Sequence, residues 1–376
     1  MNKRTNLHEK IFEYVIKSII PVTLAMTFIV GGFEPSLNRV LTATMYMVYP
    51  EKAFDLLRSQ DKQNTGITEE INKENAKAEN TESVITSAKV NSVIPDDVQK
   101  LIADAEKKYA NSSNDGKIIS ADYSKQNATS EYDGIYLRNT TLNQEINIEE
   151  YLNKQVQAFV TENKPTVLIY HTHTTETYEL LDRNFYTNER NTRSANPSEN
   201  MVRVGEEICK VLEEKGYKTI HDKTVYDESI NGAYDRSRAN ISKILKDNPS
   251  IQIVLDIHRD SIYQKDNSKV KTVTEIDGRK AAQIMLITGC EDGNVTDFPN
   301  WKKNLTFAVN LQEKLKNDNK TLVRPLMFCS RKYNMDLTPC ALSVEIGTDA
   351  NTLSEAVYSA WLFANSLSDF LEEYKI

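Results

Sequence analysis

Apolar and polar segments alternate along the C-terminal half of the chain in a pattern that predicts strands and helices in turn. Two short apolar runs, TVLIY at 166–170 and IQIVLDI at 251–257, are typical of buried central strands. A third run, ALSVEI at 341–346, is equally apolar but carries an acid. Apolar residues at helical spacing predict helices over 98–109, 200–215, 234–246, 301–317 and 353–374.

Shorter segments complete this pattern and indicate the fold class. Further strands are predicted at 134–138, 218–221, 269–275 and 283–288. The dipeptide Asp277-Gly278 lies between the last two and favours a hairpin, because it accepts the positive φ angles of a tight turn. The alternation predicts an α/β fold with a mainly parallel, twisted sheet, helices on both of its faces, and a site at the carboxyl ends of the strands.

The N-terminal segment has a different character. Residues 18–33 carry no charge and follow a basic segment that contains Lys3, Arg4, Lys10 and Lys17. We therefore predict a cytoplasmic N-terminus at 1–17 and a single transmembrane helix at 18–36, with the rest of the chain outside the membrane. No small-residue cleavage site follows the apolar run, so an uncleaved anchor is preferred to a signal peptide.

The segment after the anchor is predicted to be a juxtamembrane region and flexible tether, 37–96. Its part at 59–83 is rich in Asn, Glu, Lys, Gln and Thr and has too few apolar residues to form a core. The tether leads into a short N-terminal part of the catalytic region at 97–160. The catalytic domain itself is predicted at 161–376.

Composition excludes some classes of function and leaves others. The net charge of −8 argues against nucleic acid as the main partner, because phosphate binding favours a basic face. Cys209, Cys290, Cys329 and Cys340 form no CxxC pair, which argues against a cysteine zinc module. We expect buried free thiols, with a disulfide between Cys329 and Cys340 as the alternative.

The candidate chemistry is concentrated at the ends of the three apolar strands. The segment HTHTTETY follows the first strand at once, and it contains His173 and Glu176. His258 follows the second strand, and Glu345 lies on the third. A zinc hydrolase uses two imidazoles and a carboxylate as ligands and keeps a fourth position open. We therefore predict that His173, Glu176 and His258 bind Zn²⁺ and that Glu345 is the catalytic base.

Two of the three metal ligands have rivals nearby in the sequence. His171 competes with His173 for the metal, and the residue that is not a ligand would contact substrate or support the site. Glu199 is the rival of Glu176, which would otherwise act as a helix-capping acid behind Thr174 or Thr175.

The groups around these ligands also allow more than one role. Glu345 is the catalytic base or, instead, the acid of a buried salt bridge with Arg259 or Arg331. Asp256 or Asp260 is expected to support His258 from behind.

Three segments carry a resemblance to a known family: VLIYHTHTTETY, NPSIQIVLDIHRDS and RKYNMDLTPCALSVEIGTDANTLSEA. The chain resembles the stage II sporulation protein P family from about residue 134 to the C-terminus. The resemblance implies a peptidoglycan N-acetylmuramoyl-L-alanine amidase with an associated crosslink endopeptidase, acting in forespore engulfment beside the stage II sporulation proteins D and M. The family's catalytic domain is similar to zinc amidases of the amidase-3 type.

The resemblance also assigns roles to individual residues. His173 matches the first metal histidine, His258 the second, and Glu345 the late catalytic glutamate. In amidase-3 enzymes the ligand glutamate lies on a helix after a loop, whereas Glu176 lies close to His173 in an H-x-x-E arrangement similar to that of zinc carboxypeptidases. The third ligand is therefore Glu176 or Glu199.

The expected substrate is the stem peptide of peptidoglycan, on the outer side of a cell membrane that the single-pass anchor crosses. Arg259, Arg331 and Asn334 are candidates for contacts with substrate carboxylates or carbonyls, since arginine suits bidentate binding. The alternative to an enzyme is a module that binds peptidoglycan without cutting it, or a membrane-tethered scaffold for other wall enzymes.

Overall fold

A computed structural model describes residues 94–161 and 163–375, and everything below is confined to them. The predicted anchor at 18–36 and almost all of the predicted tether lie outside the described residues. Within the described ranges, no helix is long and apolar enough to cross a membrane.

The helices and strands follow the predicted order. The helices are α1 (Asp96–Lys108), α2 (Ile148–Leu152), α3 (Met201–Glu214), α4 (Ala233–Asp247), α5 (Trp301–Asp318) and α6 (Leu353–Glu372), with a 3-10 helix at Met335–Leu337. The strands are β1 (Gly116–Ala121), β2 (Ser130–Tyr132), β3 (Ile135–Asn139), β4 (Pro165–Tyr170), β5 (Phe185–Tyr186), β6 (Lys218–His221), β7 (Ile253–Asp260), β8 (Lys269–Ile276), β9 (Arg279–Ala282), β10 (Ile284–Gly289), β11 (Leu326–Cys329) and β12 (Cys340–Thr348). Each helix and strand predicted between residues 98 and 374 is present, with ends that differ by a few residues.

The larger sheet has eight strands in the order β2-β3-β11-β10-β12-β7-β4-β6. Strands β12, β7, β4 and β6 run parallel to one another, but β10 is antiparallel to β12 and β2 is antiparallel to β3. The α/β class is confirmed, while the prediction of a mainly parallel sheet is wrong, because the sheet is mixed. β10 follows β9 with only Gln283 between them, so no crossover helix sets its direction.

A smaller sheet has four strands in the order β5-β1-β8-β9 and is also mixed. The predicted hairpin at Asp277-Gly278 is confirmed, with φ angles of 51° and 73° at the two turn residues. Its second strand is β9 rather than the predicted 283–288, since that segment forms β10 in the larger sheet. The chain therefore passes from one sheet to the other immediately after the hairpin.

The helices pack through the apolar faces that the sequence predicts. Helix α3 buries Val204, Ile208, Val211 and Leu212, and it packs against α6, which also contacts α5. Helix α6 begins with a capping box: Thr352 Oγ1 accepts a hydrogen bond from Glu355 N, and Glu355 Oε2 accepts one from Thr352 N. These helices fix the positions of the strands that carry the site.

The segment at 97–160 contributes strands to both sheets. Strand β3 pairs with β11 in the larger sheet, and β1 pairs with β8 in the smaller one. The domain boundary at residue 160 stays a prediction. The four cysteines are free and buried, as expected.

Candidate functional site

The parallel pairing of β7 with β12 places His258 beside Glu345. Their Cα atoms are register partners on adjacent strands, so the two side chains lie on the same face of the sheet. His258 is buried, at 3% relative exposure. Two of the residues predicted from the sequence therefore meet where β7 and β12 lie side by side.

The segment after β4 brings the other two predicted residues to the same place. His173 and Glu176 are the ends of a turn in which Glu176 N donates a hydrogen bond to His173 O at 3.1 Å. Glu176 Oε2 lies 3.6 Å from His258 Nδ1, and the rings of His173 and His258 are 5.3 Å apart between centroids. No helix begins in this segment of the described chain, so the helix-capping interpretation of Glu176 is wrong.

The rival ligand, Glu199, lies in different surroundings. Its Oε2 is 3.2 Å from Arg190 Nη1, and its Oε1 accepts a hydrogen bond from Ser194 at 2.9 Å. Glu176, by contrast, lies beside both predicted metal histidines. The structure therefore favours Glu176 as the third member of the cluster.

Carboxylates flank His258 on two sides. Asp256 Oδ1 lies 2.7 Å from His258 Nε2, and Asp256 is itself held by hydrogen bonds from Thr172 N (2.8 Å) and Thr172 Oγ1 (2.7 Å). Burial lowers the pKa of His258, but Asp256 and Glu176 outweigh it and raise the pKa well above its usual value. The predicted support of His258 by a carboxylate is thus provided by Asp256.

The charges of the two glutamates differ. Burial raises the pKa of Glu176, but Arg259 and His258 lower it below its ordinary value. Burial, followed by the charge of Asp260, raises the pKa of Glu345 to about 8. Glu345 Oε2 is buried and makes no hydrogen bond within the described chain. One carboxylate is therefore ionised beside His258, and the other is poised to exchange a proton near neutral pH.

The donor types in this cluster fit zinc, which commonly takes imidazole and carboxylate ligands. Two ligands of a tetrahedral zinc ion are about 3.3 Å apart, given its bond lengths, close to the 3.6 Å between His258 Nδ1 and Glu176 Oε2. His173 Nδ1 is buried and makes no hydrogen bond to any described residue. As they stand, however, no three His, Cys, Asp or Glu side chains in the described ranges are arranged to hold a metal ion.

His171, the rival of His173, is fully occupied by other contacts. Its Nδ1 lies 3.0 Å from the carbonyl oxygen of Ile257, and its Nε2 lies 2.9 Å from His221 Nε2. Burial lowers the pKa of His171 to about 4 and that of His221 to about 2. Nothing in the sequence indicates this pair, because the two histidines are 50 residues apart and belong to no common motif.

The three residues predicted to contact substrate differ in their surroundings. Arg259 is buried and donates to the carbonyls of Thr177 and Thr192, both at 3.0 Å. Asn334 is buried as well and donates to Tyr234 O (3.2 Å) and Ser237 Oγ (3.0 Å). Arg331 is only partly buried. Their contacts with substrate stay a prediction, and Arg331 is the most accessible of the three.

Further residues at the site are not predicted from the sequence. Asp227 Oδ2 lies 4.0 Å from His173 Nδ1 and 2.6 Å from Arg193 Nη1. The ring of Tyr234 packs edge-on against His173, with 5.7 Å between centroids, and Tyr333 stacks on Tyr234 at 5.0 Å. These residues come from separate loops and helix α4, and no motif in the sequence links them to His173.

Comparison with known proteins shows which family the chain belongs to. Residues 42–368 match the family model described as Stage II sporulation protein P (SpoIIP). The chain belongs to this family. The matched range includes the whole cluster, from His173 to Glu345, which confirms the resemblance seen in the three sequence segments.

Individual proteins resemble parts of the chain. The stage II sporulation protein P of Bacillus subtilis (strain 168) is 29% identical over 226 residues, which are 57% of this chain and 52% of the relative. The chain thus spans about half the length of that relative.

Solved structures that resemble the chain include N-acetylmuramoyl-L-alanine amidases. That of Nostoc punctiforme is 11% identical with a TM-score of 0.32 and covers 57% of this chain and 98% of its own. That of Clostridium difficile 630 is 15% identical with a TM-score of 0.33 and covers 57% and 97%. The amidase of Mycobacterium smegmatis is 9% identical with a TM-score of 0.34 and covers 57% and 100%.

Proposed function

We propose that the protein is a zinc-dependent peptidoglycan hydrolase that cuts the amide bond between the lactoyl group of the glycan and the first L-alanine of the stem peptide. One observation carries this proposal. His258 lies between Glu176 and Asp256 and shares a register position with Glu345. Family membership supports the choice of peptidoglycan as the substrate.

In this mechanism His173, Glu176 and His258 would hold the zinc ion. Bound zinc would supply a Lewis acid for the scissile carbonyl and for the attacking water. Asp256 keeps the ring of His258 oriented through its contact with Nε2. Glu345 accepts the proton of the attacking water at its carboxylate and delivers it to the leaving amine, because it lies beside His258 and its Oε2 makes no hydrogen bond within the described chain.

The same proposal includes the setting of the reaction. The anchor at 18–36 would hold the catalytic region at the outer face of the cell membrane, where peptidoglycan lies. Arg331 would bind a carboxylate of the stem peptide, and Arg259 and Asn334 would shape the site around it. Crosslink endopeptidase activity and action with the stage II sporulation proteins D and M during engulfment complete the proposal.

The experiment uses the purified full chain and isolated peptidoglycan. Zinc is removed with a chelator and then restored, and the products are analysed by mass spectrometry for stem peptides with a new N-terminal L-alanine. We expect release of these peptides with zinc, little release without it, and recovery when zinc is added back. A His258→Ala variant is expected to lose zinc binding and release together.

Two results would contradict the proposal in different ways. A chain that binds peptidoglycan but releases no peptide in the presence of zinc would be a binding module instead. Release that is indifferent to the chelator and to His258→Ala would show hydrolysis without the metal site.

A further inference from the structure

Just after β4 ends, a side chain replaces the backbone of β4 as a hydrogen-bonding partner of β7. The last register pair between β4 and β7 joins Tyr170 to Asp256. The next carbonyl of β7, that of Ile257, accepts a contact from a side chain: His171 Nδ1 lies 3.0 Å from it. A buried backbone carbonyl needs a partner, and His171 provides one where the backbone of β4 has left the sheet. This carbonyl belongs to the peptide bond that joins Ile257 to His258.

The contacts of His171 define which of its nitrogens carries the proton. A carbonyl oxygen only accepts hydrogen bonds, so Nδ1 of His171 must carry the hydrogen. The ring is completely buried, and its nitrogens contact a carbonyl oxygen and another imidazole, neither of which supplies the negative charge that a buried imidazolium needs, so Nε2 is left as an acceptor. His221 Nε2, at 2.9 Å, must then be the donor to it. The two rings thus form a directed chain from His221 through His171 to the backbone of β7.

Helix α3 packs closely onto this pair of rings at Gly205. A Cβ atom at that position would lie 2.6 Å from His221 Nε2 and 2.7 Å from His171 Nε2, too close for any side chain. The absence of a side chain at residue 205 allows the helix to hold both rings in place. The neighbouring Thr172 holds Asp256, so His258 is fixed from both sides by consecutive residues of one segment.

We propose that His171 is a positioning residue and not a metal ligand, and that His221 sets its tautomer. Through the carbonyl of Ile257 the pair fixes the backbone that aims His258 toward Glu176. This inference rests on the proposed function, because its purpose is a metal site. It assigns a role to both histidines of the described residues that lie outside the cluster.

Two substitutions test the contacts of the two ring nitrogens of His171 separately. In His171→Asn the side-chain amide nitrogen falls near the position of Nδ1, so the donor to Ile257 is kept. In His171→Gln the amide falls near Nε2, so the contact with His221 is kept and the donor to Ile257 is lost. The affinity and stoichiometry of zinc are measured on the full chain by competition with a chromogenic chelator, and thermal unfolding is recorded alongside.

We expect His171→Gln to weaken zinc binding by about 10- to 100-fold, the usual effect of removing a group that orients a ligand. His171→Asn should bind zinc with an affinity close to that of the unmodified chain. His221→Leu should weaken binding as His171→Gln does, whereas His221→Gln keeps a donor near Nε2 and should bind normally. All four variants should bind the same number of zinc ions as the unmodified chain.

The control is Val211→Ala, which opens a cavity in the same helix, α3, at a buried residue further along the helix than Gly205. It should lower the unfolding temperature and leave zinc affinity unchanged. Nitrogen-15 spectra of the unmodified chain without zinc give an independent readout, with the hydrogen expected on Nδ1 of His171 and on Nε2 of His221.

The outcomes distinguish this inference from the proposed function. Equal loss of zinc in His171→Asn and His171→Gln, with lower stoichiometry, would make His171 a ligand. Variants of His171 and His221 that lower the unfolding temperature and leave zinc affinity unchanged, as expected for Val211→Ala, would make the pair purely structural. Failure of the unmodified chain to bind zinc would instead overturn the proposed function, and the inference with it.

Discussion

At the scale of single residues, the position of Glu345 fits a catalytic base better than a residue that only supports a neighbour. It lies beside His258 on the next strand, and its Oε2 makes no hydrogen bond within the described chain. We therefore predict that Glu345→Gln reduces the turnover rate on peptidoglycan by about 10²- to 10⁴-fold, the usual contribution of a general base. Zinc content should stay unchanged, because the proposed ligands are other residues.

The matched control for this prediction is Glu199→Gln, which removes a carboxylate that is engaged with Arg190 and Ser194. Its turnover should stay close to that of the unmodified chain. Loss of zinc in Glu345→Gln would make Glu345 a metal ligand instead of the base, and loss of turnover in Glu199→Gln would make Glu199 part of the site.

The four central residues of the site were predictable because each one follows or interrupts an apolar strand. His173, Glu176, His258 and Glu345 stand out against such surroundings, and parallel neighbours bring their strand ends together. Asp227, which lies near His173, comes from a loop and does not follow or interrupt an apolar strand. Contacts between loops depend on the whole tertiary structure, so the sequence offers no spacing from which to predict them.

At the scale of helices and strands, long apolar segments were sufficient to predict an element from the sequence, whereas short segments were not. The runs that became β4, β7 and β12 lie in the centre of the sheet, where burial requires continuous apolar sequence. Strand β2 has three residues and β5 has two, which is too short for a periodic pattern to appear. The direction of β10 was missed because chain direction depends on connections between sheets and not on local apolar spacing.

The capping box of α6 gives a prediction at this scale. Replacing Thr352 by Ala removes the acceptor for Glu355 N at the buried start of the helix. We expect the free energy of unfolding to fall by about 1 kcal/mol, the usual effect of losing such a cap. Urea unfolding followed by circular dichroism measures this change.

Asn365→Ala is the control in the same helix. Its side chain donates to Trp361 O inside the helix and caps no free backbone group. Alanine favours helix there, so no loss of stability is expected. A Thr352→Ala variant as stable as Asn365→Ala would show that the cap contributes nothing to the fold.

At the scale of the whole molecule, the described segment 94–160 belongs to the same folded structure as the strands that carry the site. Its strands enter both sheets, and its helix α1 is joined to α3 by an ion pair. Arg203 Nε lies 2.5 Å from Asp97 Oδ2, and its Nη2 lies 3.2 Å from Asp97 Oδ1. Arg203 also contacts Glu207 at 3.1 Å, so it keeps one partner when Asp97 is lost. The pair therefore attaches α1 to α3 without being essential to the position of Arg203.

This attachment should depend on pH in the acid range. Burial raises the pKa of Asp97, but Arg203 outweighs it and holds the pKa below its usual value of 3.8. A carboxyl with a lowered pKa in the folded state stabilises that state fully above its ordinary pKa, and the contribution disappears as the pH falls through the lowered value. We expect Asp97→Asn to lower the free energy of unfolding by less than about 1 kcal/mol near pH 7, because Asp97 is partly exposed to solvent. The difference should vanish once the pH lies below the lowered pKa, and urea unfolding at several pH values measures it.

The control for this ion pair is Asp96→Asn, which removes the same charge from the first turn of α1 without touching Arg203. Asp96→Asn leaves the ion pair between Asp97 and Arg203 in place, so its free energy of unfolding should stay close to that of the unmodified chain. An Asp97→Asn effect that persists unchanged below the lowered pKa would exclude the ion pair as its cause, because a protonated carboxyl no longer attracts Arg203.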